Sequence, residues 1–120
     1  MADKDVLGRA GEQRAAHHLE ACGYTVLDRN WRGADGEIDL VVASGDDLVV
    51  VEVKTRRSDG YGHPFEAIDA RKQRRLQRLA LAWIAAHPDA AQGRRLRIDA
   101  IAVLGHDPGT ASLEHLIGIA

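Results

Sequence analysis

Two apolar segments separated by a short polar turn constrain the fold of this chain more than any other feature. Residues 37–43 and 48–55 are rich in Val, Leu and Ile, and the Ser-Gly-Asp-Asp run between them is typical of a β-hairpin. The sequence therefore predicts a central antiparallel pair of strands, around which the other elements are arranged.

Helices are predicted on both sides of this hairpin along the chain. Small and apolar residues recur at helical spacing over 5–22, which predicts a helix that Gly23 caps. A second helix is expected to begin between residues 64 and 70 and to end near His87, because Pro88 cannot continue it. The other predicted segments are strands at 24–28, 94–104 and 113–119 and loops at 30–36, 56–63 and 105–110.

This order of elements predicts an α/β fold in which a mixed central sheet is flanked by helices. A length of 120 residues fits a single domain over 1–120. The single cysteine, Cys22, excludes an internal disulfide and a cysteine-based zinc site. We find no apolar run long enough to cross a bilayer and no pattern of a secretory leader. P-loop and GxGxxG motifs are also absent from the sequence. We therefore expect a cytoplasmic protein with no membrane partner and no organic cofactor.

The charges are unevenly distributed, although the net charge is only −2. Residues 54–97 contain eleven Lys and Arg against four Asp and Glu, so the rest of the chain is acidic. On the second predicted helix, Arg71, Arg74, Arg75 and Arg78 recur at helical spacing and form a basic stripe. Such a segment can bind phosphates, and the alternative is an ordinary solvated helix surface.

The hairpin carries the residues that suggest chemistry. With its turn centred on Gly45 and Asp46, Asp39 is expected to face Glu52, and Glu37 to face Lys54, all four on one sheet face. Two opposed carboxylates repel each other unless a proton or cation lies between them. A divalent ion such as Mg²⁺ or Mn²⁺ would resolve this repulsion.

The carbonyl of Val53 could add another oxygen ligand to such an ion. Lys54 could orient or deprotonate a water on the metal, or stabilise charge on a phosphate. The alternative is a solvated cross-strand ladder, in which Glu37 and Lys54 form a surface ion pair.

Three further polar residues are expected to point inward. Glu12 lies among small helix residues that would allow the first helix to approach the hairpin closely, although an exposed glutamate is the alternative. Lys72 lies on the apolar row of the second helix, and its alternative is a side chain that reaches the protein edge. Asp99, in an apolar strand, is expected to be a buried partner of Arg or Lys. Of the six histidines, only His63 in the glycine-containing loop is a candidate for function.

The hairpin motif resembles a known signature. Asp39 followed one hairpin later by Glu52-Val53-Lys54 is similar to the PD-(D/E)xK motif of restriction-endonuclease-like nucleases, with Ile38 in place of the proline. More closely, the chain resembles the YraN-like family of small uncharacterised bacterial proteins. The residues that carry this second resemblance are Gly8-Arg9-Ala10-Gly11-Glu12, Gly23-Tyr24, Asn30, Gly36-Glu37-Ile38-Asp39-Leu40, Val51-Glu52-Val53-Lys54, Arg56, Lys72, Arg75 and Leu76.

The resemblance implies a restriction-endonuclease-like αβββαβ core and a role for each motif residue. Asp39 and Glu52 match the metal-binding acids, Lys54 matches the catalytic lysine, and Glu12 matches a first-helix acid of archaeal Holliday-junction resolvases.

We therefore predict an endonuclease that uses Mg²⁺ or Mn²⁺ to hydrolyse phosphodiester bonds of DNA, with branched or structured DNA as one substrate class. A homodimer would suit symmetric or branched DNA. The alternatives are a non-catalytic nucleic-acid-binding module of this fold and a protein-interaction domain. The residues expected to contact phosphates are Arg56, Arg57, Arg71, Lys72, Arg74, Arg75 and Arg78.

Overall fold

A computed structural model describes residues 2–57, 62–105, 107 and 110–120, with side chains from residue 6 onward. Two long helices accompany five strands. The elements in chain order are helix α1 (Ala2–Ala21), strands β1 (Thr25–Gly33), β2 (Gly36–Ser44) and β3 (Asp47–Arg56), a 3₁₀ turn (Pro64–Ala67), helices α2 (Ala70–Ala86) and α3 (Pro88–Ala91), and strands β4 (Arg95–Leu104) and β5 (Ser112–Leu116).

The strands form one mixed sheet in the order β1-β2-β3-β4-β5. Strands β3 and β4 are parallel, because the chain crosses over through α2 between them, and the other neighbours are antiparallel. This architecture confirms the predicted α/β fold class and is compatible with a restriction-endonuclease-like αβββαβ core. No described helix is both long enough and apolar enough to cross a bilayer.

Each long helix covers one face of the sheet with its own apolar cluster. Helix α1 buries Ala15, Ala16 and Leu19 against a set of strand residues that includes Val51 and Ile101. Helix α2 buries Leu76, Leu79, Ala80 and Trp83 on the opposite face, as its helical spacing predicts. Because both faces are covered, the central strands carry apolar side chains towards both helices, and a charged side chain within them needs a partner.

The predicted loop at 30–36 is wrong, because strand β1 continues to Gly33 and β2 begins at Gly36. Polar residues such as Arg29 and Arg32 are tolerated there because this edge strand has an exposed side, while its backbone pairs with β2. The predicted edge strand at 113–119 ends earlier, at Leu116, because Gly118 turns with a φ of 70° and donates its N–H to Asp99.

The second predicted helix is confirmed, because α2 begins at Ala70 and ends at Ala86. A 3₁₀ turn occupies Pro64–Ala67, and α2 begins after Asp69, whose carboxylate accepts a hydrogen bond from Lys72 N at 2.9 Å. The predicted loop at 56–63 and turn at 105–110 fall partly outside the described residues, at 58–61, 106 and 108–109.

Candidate active site

Strands β2 and β3 separate where the acidic residues begin. Val41 pairs with Val50 and Leu40 with Val51, which confirms the predicted register, but the described pairing ends there. The expected ladder pairs Asp39–Glu52 and Glu37–Lys54 are therefore wrong as backbone pairs. Instead, Val53 N donates a hydrogen bond to Asp39 Oδ2 at 2.7 Å.

The carboxyl groups of Asp39 and Glu52 nevertheless meet in the opening between the strands. They are hydrogen-bonded to each other, and Glu52 is only 6% exposed. Burial, together with the hydrogen bond and charge of Glu52, raises the pKa of Asp39 to about 9. Burial also acts to raise the pKa of Glu52, but Asp39 and two lysines outweigh it and lower that pKa. The pair therefore shares one proton, which lies on Asp39 at neutral pH.

Two lysines compensate the charge that remains on Glu52. Lys72 Nζ lies 3.0 Å and Lys54 Nζ 3.9 Å from Glu52 Oε2, so Lys72 points inward as its place on the helix predicts. Burial would lower the pKa of Lys72, but its contacts with Glu52 contribute to a net rise. Burial lowers the pKa of Lys54 in spite of Glu52, so Lys54 gives up a proton more readily than an exposed lysine.

Glu12 joins the acid pair from helix α1. Its carboxyl group lies beside that of Asp39; burial raises the pKa of Glu12, and the contact with Asp39 offsets part of this rise. The helix can approach because Gly11 lies directly against the side chain of Thr55 on β3, where a Cβ atom would not fit. The structure thus confirms the predicted position of Glu12 next to the hairpin acids. The catalytic role of Glu12 stays a prediction.

Asn30 is a site residue that the sequence pattern did not single out as functional. Its backbone is left-handed, with a φ of 51°, and its amide nitrogen lies 3.0 Å from both Glu12 Oε1 and Glu37 Oε1 in the orientation that satisfies its hydrogen bonds. Glu37 also pairs with Arg32 of β1 at 3.6 Å. Non-glycine residues seldom adopt this conformation. The backbone of Asn30, which only the structure reveals, therefore points to it as a site residue.

The donor atoms at this site suit a hard divalent cation. Among the residues that the structure describes, no three His, Cys, Asp or Glu side chains are already arranged to hold an ion. The hydrogen-bonded pair nevertheless holds a proton that a cation could replace, and carboxylate oxygens are the ligands that Mg²⁺ prefers. The oxygen atoms of these acids are therefore of the kind that Mg²⁺ or Mn²⁺ binds. The N–H of Val53 donates to Asp39, and its carbonyl oxygen stays a predicted ligand.

A basic pocket lies beside the acids at the start of helix α2. Its volume is about 310 Å³, and Lys72 connects it to Glu52. The residues that line it are Ala67, Asp69, Arg71, Lys72, Arg75 and Arg78. The predicted stripe is thus divided: Arg74 is exposed outside this lining, and Arg78 is paired with Asp35 at 3.5 Å.

The remaining predicted residues lie apart from the acid pair. Arg56 and Arg57 are exposed at the end of β3. His63 caps the 3₁₀ turn and pairs with Glu114 at 3.1 Å. Asp99 is fully buried, and its ion pair with Arg97 confirms the predicted partner.

The class of protein follows from this site. Two acids and a lysine lie where two central strands separate, and the first helix adds a further acid. This is an α/β protein compatible with the restriction-endonuclease-like core, with a candidate active site at the fork of β2 and β3. The chain belongs to the uncharacterised protein family UPF0102, whose model matches residues 11–103. This confirms the resemblance to the YraN-like family.

Relatives in this family match the chain over nearly its whole length. A UPF0102 protein of Arthrobacter sp. (strain FB24) is 50% identical over 119 residues, covering 99% of each chain. Another, from Paenarthrobacter aurescens (strain TC1), is 52% identical and covers 99% of this chain and 97% of its own. A third, from Beutenbergia cavernae, is 50% identical with 99% of each chain covered.

Proposed function

We propose that this protein is a metal-dependent endonuclease that hydrolyses phosphodiester bonds of DNA, with branched or structured DNA among its substrates. One observation carries the proposal: the carboxyl groups of partly buried Asp39 and buried Glu52 meet beside two lysines and next to a basic pocket. Such a concentration of titratable groups with perturbed pKa values is typical of a catalytic site.

The acids provide the binding site for a divalent ion in this proposal. Asp39 and Glu52 would hold Mg²⁺ or Mn²⁺ in place of the proton of the pair, and Glu12, which lies beside Asp39, would support this acid. When bound, such an ion would supply positive charge that stabilises the phosphate in the transition state.

Lys54 is the proposed catalytic base or electrostatic partner. Its lowered pKa increases the fraction of neutral amine that can accept a proton from the attacking water. While it is charged, the same ammonium group stabilises the negative charge that develops on the phosphate.

The basic pocket provides contacts to the DNA backbone. Arg71 and Arg75 line it without an acidic side chain within ion-pair distance among the described residues, so their guanidinium groups can bind phosphate oxygens. Such contacts do not distinguish bases, and we therefore expect recognition by DNA shape. Arg56 and Arg57 extend this basic surface at the end of β3.

A manganese-supplemented nuclease assay on linear, single-stranded, flap and four-way-junction DNA tests the proposal. Glu52→Gln is the control, because it keeps the shape of Glu52 and removes its charge. We expect cleavage of at least one substrate by the parent and at least a hundredfold loss in the variant, with DNA binding retained. Equal cleavage by both proteins, or none by the parent, would contradict the nuclease proposal.

The ion pair between Lys72 and Glu52 favours a second candidate function. Because Lys72 compensates Glu52 at 3.0 Å, the acid site can exist with its charge balanced by the protein alone. This arrangement suits a nucleic-acid-binding module of the same fold that does not cleave. Salt-sensitive DNA binding without manganese-dependent cleavage would favour this alternative.

A further inference from the structure

A second pocket opens on the α1 side of the acid site. Its volume is about 210 Å³, and Glu12 is part of its wall, so the pocket adjoins the carboxyl cluster directly. The residues that line it are Arg9, Glu12, Gln13, Arg29, Asn30 and Leu40. Helix α1 contributes Arg9 and strand β1 contributes Arg29 to this pocket, which lies next to the acid site.

Both arginines are exposed, and no carboxylate in the described part of the chain pairs with either of them. Among the side chains that the structure describes, no carboxylate lies within ion-pair distance of Arg9 or Arg29, although Glu12 lines the same pocket. Other arginines of the chain are paired, including Arg97 with Asp99 and Arg95 with Asp47. The two guanidinium groups therefore keep their full charge and most of their N–H donors for a ligand.

Gln13 holds one of these groups in position. Its Oε1 accepts a hydrogen bond of 2.6 Å from Arg29 Nη1. An amide oxygen carries no net charge, so this contact orients the guanidinium without neutralising it. Orientation by a neutral neighbour reduces the entropy that Arg29 loses when it binds an anion.

We propose that Arg9 and Arg29 form a phosphate-binding subsite for a nucleic-acid strand, next to the phosphate that is cleaved. This inference rests on the proposed nuclease function. A guanidinium group matches the geometry of phosphate oxygens, and two such groups offset the repulsion that the neighbouring carboxylates exert on a polyanion. With Arg71 and Arg75 lining the pocket on the α2 side, arginines lie on both sides of the acid site. The strand thus crosses the acid site from one basic pocket to the other.

Fluorescence anisotropy with labelled duplex and four-way-junction DNA, in EDTA at several salt concentrations, tests the subsite without requiring cleavage. The variant combines Arg9→Gln with Arg29→Gln. We expect about tenfold weaker binding and a salt slope that is smaller by about 1.8, since each phosphate contact contributes about 0.9 for duplex DNA. The matched control combines Arg94→Gln with Arg95→Gln, which removes the same charge near the β2–β3 turn, where Arg94 bonds Gly45 O. We expect the control to bind like the parent.

The possible outcomes separate the two proposals. The subsite would be overturned if the Arg9/Arg29 variant had the same salt slope as the parent, or if the control lost as much binding as this variant. In either case the nuclease proposal would stand if the parent cleaves DNA. A selective loss of binding in a parent that never cleaves would support the subsite and overturn the nuclease. A parent that binds no DNA at low salt would overturn both. The combination Arg9→Lys with Arg29→Lys keeps the charge and is expected to recover most of the salt slope, which excludes misfolding as the cause.

Discussion

Lys72 Nζ on helix α2 lies 3.0 Å from Glu52 Oε2 on strand β3, and together with Asp39 and Lys54 it lowers the pKa of this buried acid. With a lysine beside it, Glu52 keeps its negative charge, and the neighbouring carboxyl group of Asp39 stays protonated. Burial and the charge of Glu52 thus raise the pKa of Asp39, whereas Asp39 and the two lysines lower the pKa of Glu52. The first two predictions follow from this difference.

Replacing Asp39 by Asn should make the protein more stable at neutral and alkaline pH. The folded protein holds the Asp39 proton up to about pH 9, whereas the ordinary pKa of aspartate is 3.8. Between these values the folded state binds more protons than the unfolded chain, so this group's contribution to stability falls as the pH rises. Asparagine mimics the protonated acid and removes this fall.

Urea denaturation in EDTA between pH 5 and pH 9 measures the effect. We expect Asp39→Asn to exceed the parent by at least about 1 kcal/mol at pH 8, and the difference to shrink towards pH 5. Asp46→Asn, in the exposed β2–β3 turn, is the control and should follow the parent. Parallel curves for Asp39→Asn and the parent would show that Asp39 does not hold this proton.

Manganese should stabilise the folded protein, because a divalent ion can take the place of the shared proton. At about five times its Kd, an ion that binds only the folded state adds about 1 kcal/mol to the free energy of unfolding. This corresponds to a rise in Tm of about 3–5 °C for a domain of this size. The rise should increase from pH 6 to pH 9, because binding releases a proton.

Differential scanning fluorimetry measures the Tm in Mn²⁺ and in EDTA. The variants Asp39→Asn and Glu52→Gln each remove the charge of one proposed metal-binding acid. Neither variant should respond as the parent does. An equal rise in Tm for all three proteins would place the manganese elsewhere. The readout does not depend on DNA, so it separates metal binding from catalysis.

The ion pair between Arg97 and Asp99 should be a main determinant of stability. Asp99 is fully buried, and Arg97 reaches its two oxygens through two hydrogen bonds of 2.9 Å. His115 Nε2 and Gly118 N lie 2.7 Å and 3.0 Å from the same carboxylate. Arg97→Met leaves this buried charge without its main partner, and such losses amount to about 3–5 kcal/mol.

Chemical denaturation of Arg97→Met and of Arg95→Met measures this loss. Arg95 has an 83% exposed side chain and a 3.5 Å contact with Asp47, so its replacement should change the stability by less than about 1 kcal/mol. Adding Asp99→Asn to Arg97→Met should recover part of the loss, because no charge is then left buried. Similar losses for both single variants would contradict the assigned role of the buried pair.

The sequence predicts the features that depend on local pattern. The Ser-Gly-Asp-Asp turn and the Val-rich segments on either side determine the register of Val41 with Val50, and helical spacing is enough to place Lys72 inward. Strand β1 extends beyond the predicted segment because Trp31 pairs with Ile38, a tertiary contact that overrides the polar local sequence. The separation of β2 from β3 and the contact of His115 with Asp99 depend on packing between distant segments, which no local pattern specifies.

The last prediction concerns the close approach that brings Glu12 to the acid pair. Alanine normally stabilises a helix by about 1 kcal/mol relative to glycine. At Gly8, where nothing lies within 4 Å of the added Cβ, Gly8→Ala should show this gain. At Gly11, the Cβ would collide with the Thr55 side chain, whose Cγ2 would lie at 2.9 Å, so Gly11→Ala should push helix α1 away from strand β3. We expect Gly11→Ala to lose about 1–3 kcal/mol in urea denaturation and to weaken the manganese-induced rise in Tm, since Glu12 moves with the helix. A gain in stability equal to that of Gly8→Ala would show that the approach of α1 to β3 does not position Glu12.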